Sequence, residues 1–182
     1  MKRLFLYLLI LSFLGGCAAL KPPEKKVVGN TFYSSSPKLE VEVSPDLKYL
    51  GESKHSSDVE EMHEGADFTL FHKAFVFQGP NRLVAITILK APDNMFWLEP
   101  SSGFAGIKNK LETGKSKLGK HMYYYCIFRL GNQLIKLHAR NVHGGSMQVR
   151  MIYQETENQE IVSDRELLTQ LNENCEAAFK VK

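Results

Sequence analysis

Residues 121–153 read HMYYYCIFRLGNQLIKLHARNVHGGSMQVRMIY: two alternating stretches flank Gly131-Asn132, and a third follows His143-Gly144-Gly145. A two-residue turn at Gly131-Asn132 pairs Tyr124 with Ala139, Cys126 with Leu137 and Phe128 with Ile135, which makes one face wholly apolar. The second turn offers two registers. A two-residue Gly144-Gly145 loop puts Arg150 beside Ala139 on that apolar face. A three-residue His143-Gly144-Gly145 loop instead pairs Val149 with Ala139, Met151 with Leu137 and Tyr153 with Ile135. A slip of one residue inverts every side chain, so burial favours the second register. The expectation is a three-stranded meander with one buried face.

In that arrangement the other face points outward and carries Tyr123, Tyr125, Ile127 and Arg129 beside Lys136, His138, Arg140, Gln148 and Arg150. Aromatic rings mixed with arginine are the chemistry of protein interfaces and of anion recognition. Tyr123, Tyr125, Arg129, Lys136, His138, Arg140 and Arg150 are therefore the candidate partner-binding face. The alternative is a solvated face whose long side chains lie over tyrosine rings.

Working outward, Ser163-Asp164-Arg165-Glu166 is a capping box that opens a helix. Leu168, Leu171, Cys175, Ala178 and Phe179 recur at three- and four-residue steps and form one apolar stripe. If that stripe covers the apolar face of the meander, Cys175 can meet Cys126. The two cysteines form either one disulfide, in keeping with an oxidising compartment, or two buried thiols.

Upstream, Thr31 to Ser35 and Lys38 to Val43 have strand character, the second with Leu39, Val41 and Val43 on one face and charge on the other. Asp67 to Phe77 and Arg82 to Lys90 are two further strands joined by Gly79-Pro80-Asn81. Val84, Ile86 and Ile88 face one way and Leu83, Ala85 and Leu89 the other, as in a central strand. Ser57-Asp58-Val59-Glu60 fits a capping box for a short helix through about Glu64. Met95 to Leu98 is a short apolar element, and Glu99 to Lys120, rich in Gly, Ser and Lys, reads as a long functional loop. The fold class is α+β, mainly antiparallel sheet with a C-terminal helix on one face.

The start of the chain says where the protein works. Lys2 and Arg3 precede an apolar run from Leu4 to Leu14, broken only by Ser12, which is the order of a secretory signal. The run is too short to span a bilayer, which needs roughly 20 apolar residues. Leu14-Gly15-Gly16-Cys17 closely resembles the lipobox of bacterial lipoproteins, over residues 1–17 only. The resemblance implies lipidation of Cys17, cleavage before it, and a membrane anchor of two or three acyl chains. Ala18 stands where an Asp would favour the inner membrane, so the expected location is the outer membrane, facing the periplasm. The organisation is then a signal peptide at 1–16, a lipidated tether at 17–30 and a single domain at 31–182.

Cleavage would remove Lys2 and Arg3 with no acidic residue, reducing the formal charge from +3 to near +1. Such a chain lacks the basic excess of a nucleic-acid binder. Thr113-Gly114-Lys115-Ser116 matches the end of a phosphate-binding loop, but Asn109 stands where its first glycine belongs. His55, Asp58, Glu60, Glu61, His63 and Glu64 lack the paired histidine spacing of a zinc protease, and no motif calls for a metal or cofactor. The reading is a non-enzymatic, membrane-anchored envelope protein that binds or assembles a protein partner. A periplasmic carrier of a small molecule or lipid is the alternative, and an envelope hydrolase ranks third.

Overall fold

A computed structural model of the chain describes residues 24–59, 68–157 and 163–182. The fold is α+β: two antiparallel sheets, with a C-terminal helix packed near them. The small sheet contains β1 (Lys25–Val28), β2 (Thr31–Ser35), β3 (Lys38–Val43) and β11 (Phe179–Val181), in that order. The large sheet contains β4 (Lys48–Val59), β5 (Phe68–Gln78), β6 (Arg82–Lys90), β7 (Lys110–Leu118), β8 (His121–Leu130), β9 (Gln133–Val142) and β10 (Met147–Thr156). Its spatial order is β4-β5-β6-β10-β9-β8-β7. The described residues also include one turn of helix, α1 (Pro100–Gly103), and a 3₁₀ turn at His143–Gly145.

Strand β6 lies between β5 and β10 and is buried on both faces, as its sequence predicts. Val84, Ile86 and Ile88 enter the main core, which the small sheet and helix α2 (Asp164–Ala178) cover. The opposite face is partly covered by 91–109, where Phe104 packs on Cys126 and Ala139, with Ile107 beside them. Ser163 caps α2, its Oγ accepting from the Glu166 N–H at 3.2 Å. The buried stripe is Leu167, Leu171, Cys175 and Ala178, with Leu168 only half-buried. Phe179 leaves the helix to begin β11. Full burial of a leucine such as Leu171 contributes about 1.5–3 kcal/mol.

The first meander register is as expected: Tyr124 faces Ala139, Cys126 faces Leu137 and Phe128 faces Ile135. The second is inverted, with Arg150 opposite Ala139, Met151 opposite His138 and Tyr153 opposite Lys136. Residues 143–146 connect β9 to β10, and His143, Gly144 and Gly145 all have positive φ. Arg150 is tolerated on its face because that face is roofed there. Its guanidinium lies 5.5 Å from the Trp97 ring and its Nε donates to Gln148. The slip puts Tyr123, Ile127, Leu134, Val149, Met151 and Tyr153 together in the main core.

Four other expectations change. Residues 25–28, expected in the tether, form β1 and pair with β2. Strand β4 runs through Val59, so no helix starts at Ser57, and 60–64 lie outside the described residues. Within 99–120 only 99–109 is loop-like, around one turn of helix, and 110–118 is strand β7. Met95 to Leu98 carries no regular structure.

Candidate functional site

Two clefts of about 310 Å³ each open at the rim of the main core. The first lies between the β5–β6 turn and α2, lined by Arg82, Glu155, Leu167, Gln170 and Asn174 among others. Its polar groups answer one another. Tyr153 donates to Glu155 at 2.6 Å, Asn174 donates to the same carboxylate at 2.9 Å, and Arg82 pairs with Asp46. That network is structurally complete.

The second cleft lies where β7, β8 and β9 meet the C-terminal half of α2 and β11. Strand alternation puts Ser116, Lys136 and His138 on the inner face, and the helix stripe brings Cys175 above them. Gly119, at the β7–β8 turn with φ of +59, closes one end. A Cβ there would stand 2.5 Å from the Val181 carbonyl oxygen, so only glycine lets β11 come this close. Gly114 similarly makes room for Tyr125, whose hydroxyl donates to Glu112. That hydrogen bond, helped by burial, pushes the phenol up to about 12.

Lys136 and His138 give this cleft its character. Lys136 is 5% exposed, donates one N–H to Asn172 at 2.6 Å and holds its ammonium 5.0 Å from the Tyr125 ring. Among the described residues it makes no ion pair. His138 is 1% exposed, with neither ring nitrogen hydrogen-bonded. Its ring packs between Tyr125 (centroids 6.2 Å apart) and Phe179 (6.0 Å, edge-on). Burial, reinforced by the Lys136 charge, lowers its pKa to about 3, so the ring is neutral and offers one N–H and one lone pair. The Ser116 hydroxyl is also buried and unpaired. A cation with spare donors beside a neutral donor–acceptor ring suits a carboxylate or another small oxyanion.

The same cleft is poorly set up for covalent chemistry. Burial raises the Cys175 thiol to about 12, leaving it protonated. A histidine held near 3 is a weak base at neutral pH.

Of the candidate partner-binding residues, the structure brings Tyr125, Lys136 and His138 together at this cleft. The outward face expected for the set is corrected: Tyr123, Lys136 and His138 are buried, because the sheet turns that face towards the small sheet and helix. Arg140 lies 5.3 Å from the Tyr123 ring. Arg129 sits apart, bonded to Glu157 at 3.2 Å and Asp164 at 2.8 Å near the start of α2. Arg150 points to the opposite face, under Trp97. Of the two readings for the cysteines, the disulfide is not formed: Cys126 and Cys175 are free thiols, buried on opposite sides of the large sheet.

Cys17 and the His63 region lie outside the described residues. Among the described residues no helix is long and apolar enough to cross a membrane, and no group of metal-binding side chains converges. Ser116, Gly119 and Phe179 were not foreseen as site residues. Ser116 and Gly119 belong to β7 and its turn, which read as loop in the sequence, and Phe179 leaves the helix stripe to begin β11. Compared with known protein families, curated proteins and solved structures, the chain matches none.

Proposed function

We propose that this chain is a lipid-anchored protein of the bacterial cell envelope whose domain is a non-enzymatic binding module, and that it receives a carboxylate-bearing group of a protein partner in the Lys136–His138 cleft. The observation that carries the reading is the pairing of a buried ammonium, without an ion-pair partner among the described residues, with a buried imidazole whose two nitrogens are unpaired. Buried polar groups are nearly always satisfied, so an imidazole with neither nitrogen paired, beside the unpaired Ser116 hydroxyl and the Lys136 charge, favours an incoming group. The protonated Cys175 and the weakly basic His138 support binding over turnover. The lipobox-like Leu14-Gly15-Gly16-Cys17 supports the anchor and the envelope location, with the outer membrane first.

A photo-reactive residue in place of Glu176, at the cleft rim, should crosslink a discrete partner in intact cells. That adduct should vanish in Lys136→Met and persist in Arg129→Ala; unchanged crosslinking in Lys136→Met would sink the cleft reading. Cys17→Ser should release the protein into the soluble fraction with its domain still folded.

The carrier reading is retained because a volume of about 310 Å³ falls at the lower end of small-molecule pockets. Native mass spectrometry separates the two, since a carrier isolated from cells shows added mass that Lys136→Met removes.

A further inference from the structure

Phe96, Leu98 and Met122 are 68%, 58% and 54% exposed, three large apolar side chains at one end of the molecule. Their backbone anchors fix that neighbourhood. Trp97 N–H donates to the Gly145 carbonyl at 2.8 Å, and Asn141 donates to the Trp97 and Leu98 carbonyls at 3.0 and 2.9 Å. Met122 precedes Tyr124 by two residues as Asn141 follows its partner Ala139 by two, which sets Met122 across from Asn141. Lysines rim the cluster. Lys117 pairs with Met122, Lys115 pairs with Tyr124 and holds its ammonium 4.6 Å from that ring, and Lys90 ends β6 beside Asp93. Glu99 is engaged by the Tyr124 hydroxyl.

The first described strand enters at this same end. Lys25 Nζ donates to the Ile88 carbonyl at 3.5 Å, and Ala91, three residues along from Ile88, bonds to Ser146 at 2.9 Å, next to Gly145. From Cys17 to Lys25 the chain can reach at most roughly 28 Å. An acylated Cys17 would therefore hold this end of the domain close to the membrane.

We propose that the Phe96–Leu98–Met122 end rests on the lipid bilayer, its apolar side chains entering the interface and its lysines meeting anionic headgroups. The proposal rests on the lipid-anchor reading for its geometry. A lipid surface is favoured over a protein partner because the tether keeps it within reach and because aromatic and apolar side chains rimmed by lysine match its layered chemistry.

Trp97 is the only tryptophan in the chain and lies inside the cluster, so it reports directly. The full chain purified from cells, acylation checked by mass, is added to vesicles of phosphatidylethanolamine and phosphatidylglycerol with brominated acyl chains. Trp97 emission should be quenched. The triple variant Phe96→Ser, Leu98→Ser, Met122→Ser should fall to the level of unbrominated vesicles while still sedimenting with them. Leu130→Ser, equally exposed at the far end of β8, should leave quenching intact. A wild-type protein that sediments but is not quenched overturns the proposal, as does a triple variant that is quenched like wild type or a triple variant that loses self-association instead. An unacylated Cys17 refutes the anchor alone. In that case the same titration still decides: a Trp97 response abolished by the triple variant supports the contact, and no response overturns it.

Discussion

Cys126 and Cys175 face opposite sides of one seven-stranded sheet, the first beneath Phe104 and the second in the helix stripe over His138. No rotamer change can bring them together through the sheet. The melting temperature should therefore be the same with and without reductant, and the intact mass should not rise on reduction. Alkylation of both thiols should wait for unfolding, since burial raises each thiol's pKa. A melting temperature that falls on addition of reductant, or an intramolecular bridge in peptide mapping, would count against the two-sided placement.

The same two-sidedness separates Ile127 from Leu137. Ile127 is fully buried in the main core, and Leu137 is half-buried on the other face. Ile127→Ala should cost about 2–5 kcal/mol, the range for truncating a core aliphatic, and Leu137→Ala distinctly less. Urea unfolding of the two variants checks this. The reverse ranking would mean that the helix lies on the Cys126 face.

His138 makes stability pH-dependent with a definite sign. Its folded pKa of about 3 lies below the unfolded value of about 6.5, so the unfolded chain takes up the extra proton. Its neutral burial contributes fully above about pH 6.5 and is lost as pH falls towards about 3. The groups packed around it are Lys136 on its own strand, Tyr125 on β8, Cys175 on α2 and Phe179 on β11; Ser116 on β7 lines the same cleft. His138→Leu also removes two unpaired buried nitrogens and should be more stable than wild type by about 1 kcal/mol or more at neutral pH. Its advantage should be constant above about pH 6.5 and widen below. Denaturation followed by Trp97 emission across that range measures it, and a difference independent of pH would show that His138 is hydrated or paired.

Gly119 should tolerate no side chain. At φ of +59 an alanine costs about 1–3 kcal/mol in backbone strain, and its Cβ would meet the Val181 carbonyl. Gly119→Ala is expected to lower thermal stability and to loosen β11, read as faster amide exchange at Lys180 and Val181. Unchanged exchange there would show that the turn and β11 do not touch.

What could be read from the chain follows position in the sheet. Central strands β6, β8 and β9 carry apolar residues on both faces or in clean alternation, and the first hairpin and the Ser163 cap were legible to the residue. The edge strands were not. β4 (KYLGESKHSSDV) and β7 (KLETGKSKL) each pair on one side only and are rich in polar residues, the composition that protects an edge from further pairing. To a periodicity argument they look like a helix start and a loop. The β9–β10 register failed for a different reason: the decision rested on Arg150, whose cover by Trp97 comes from a segment without recognisable structure, and the face that carries Lys136 and His138 is the one that faces the main core. The cleft was illegible for both reasons: one wall is the polar edge strand β7, and His138 lies on the face that alternation alone assigns to solvent.

Strand β11 joins β3 by pairing Val181 with Val41, residues 140 positions apart. Loop closure on that scale is slow to find, and topologies dominated by such contacts fold late. The two valines and Phe179 nevertheless complete the main core. The small sheet is therefore a clasp that only its last strand can fasten: a chain carrying β1 to β3 alone lacks the strand that closes it.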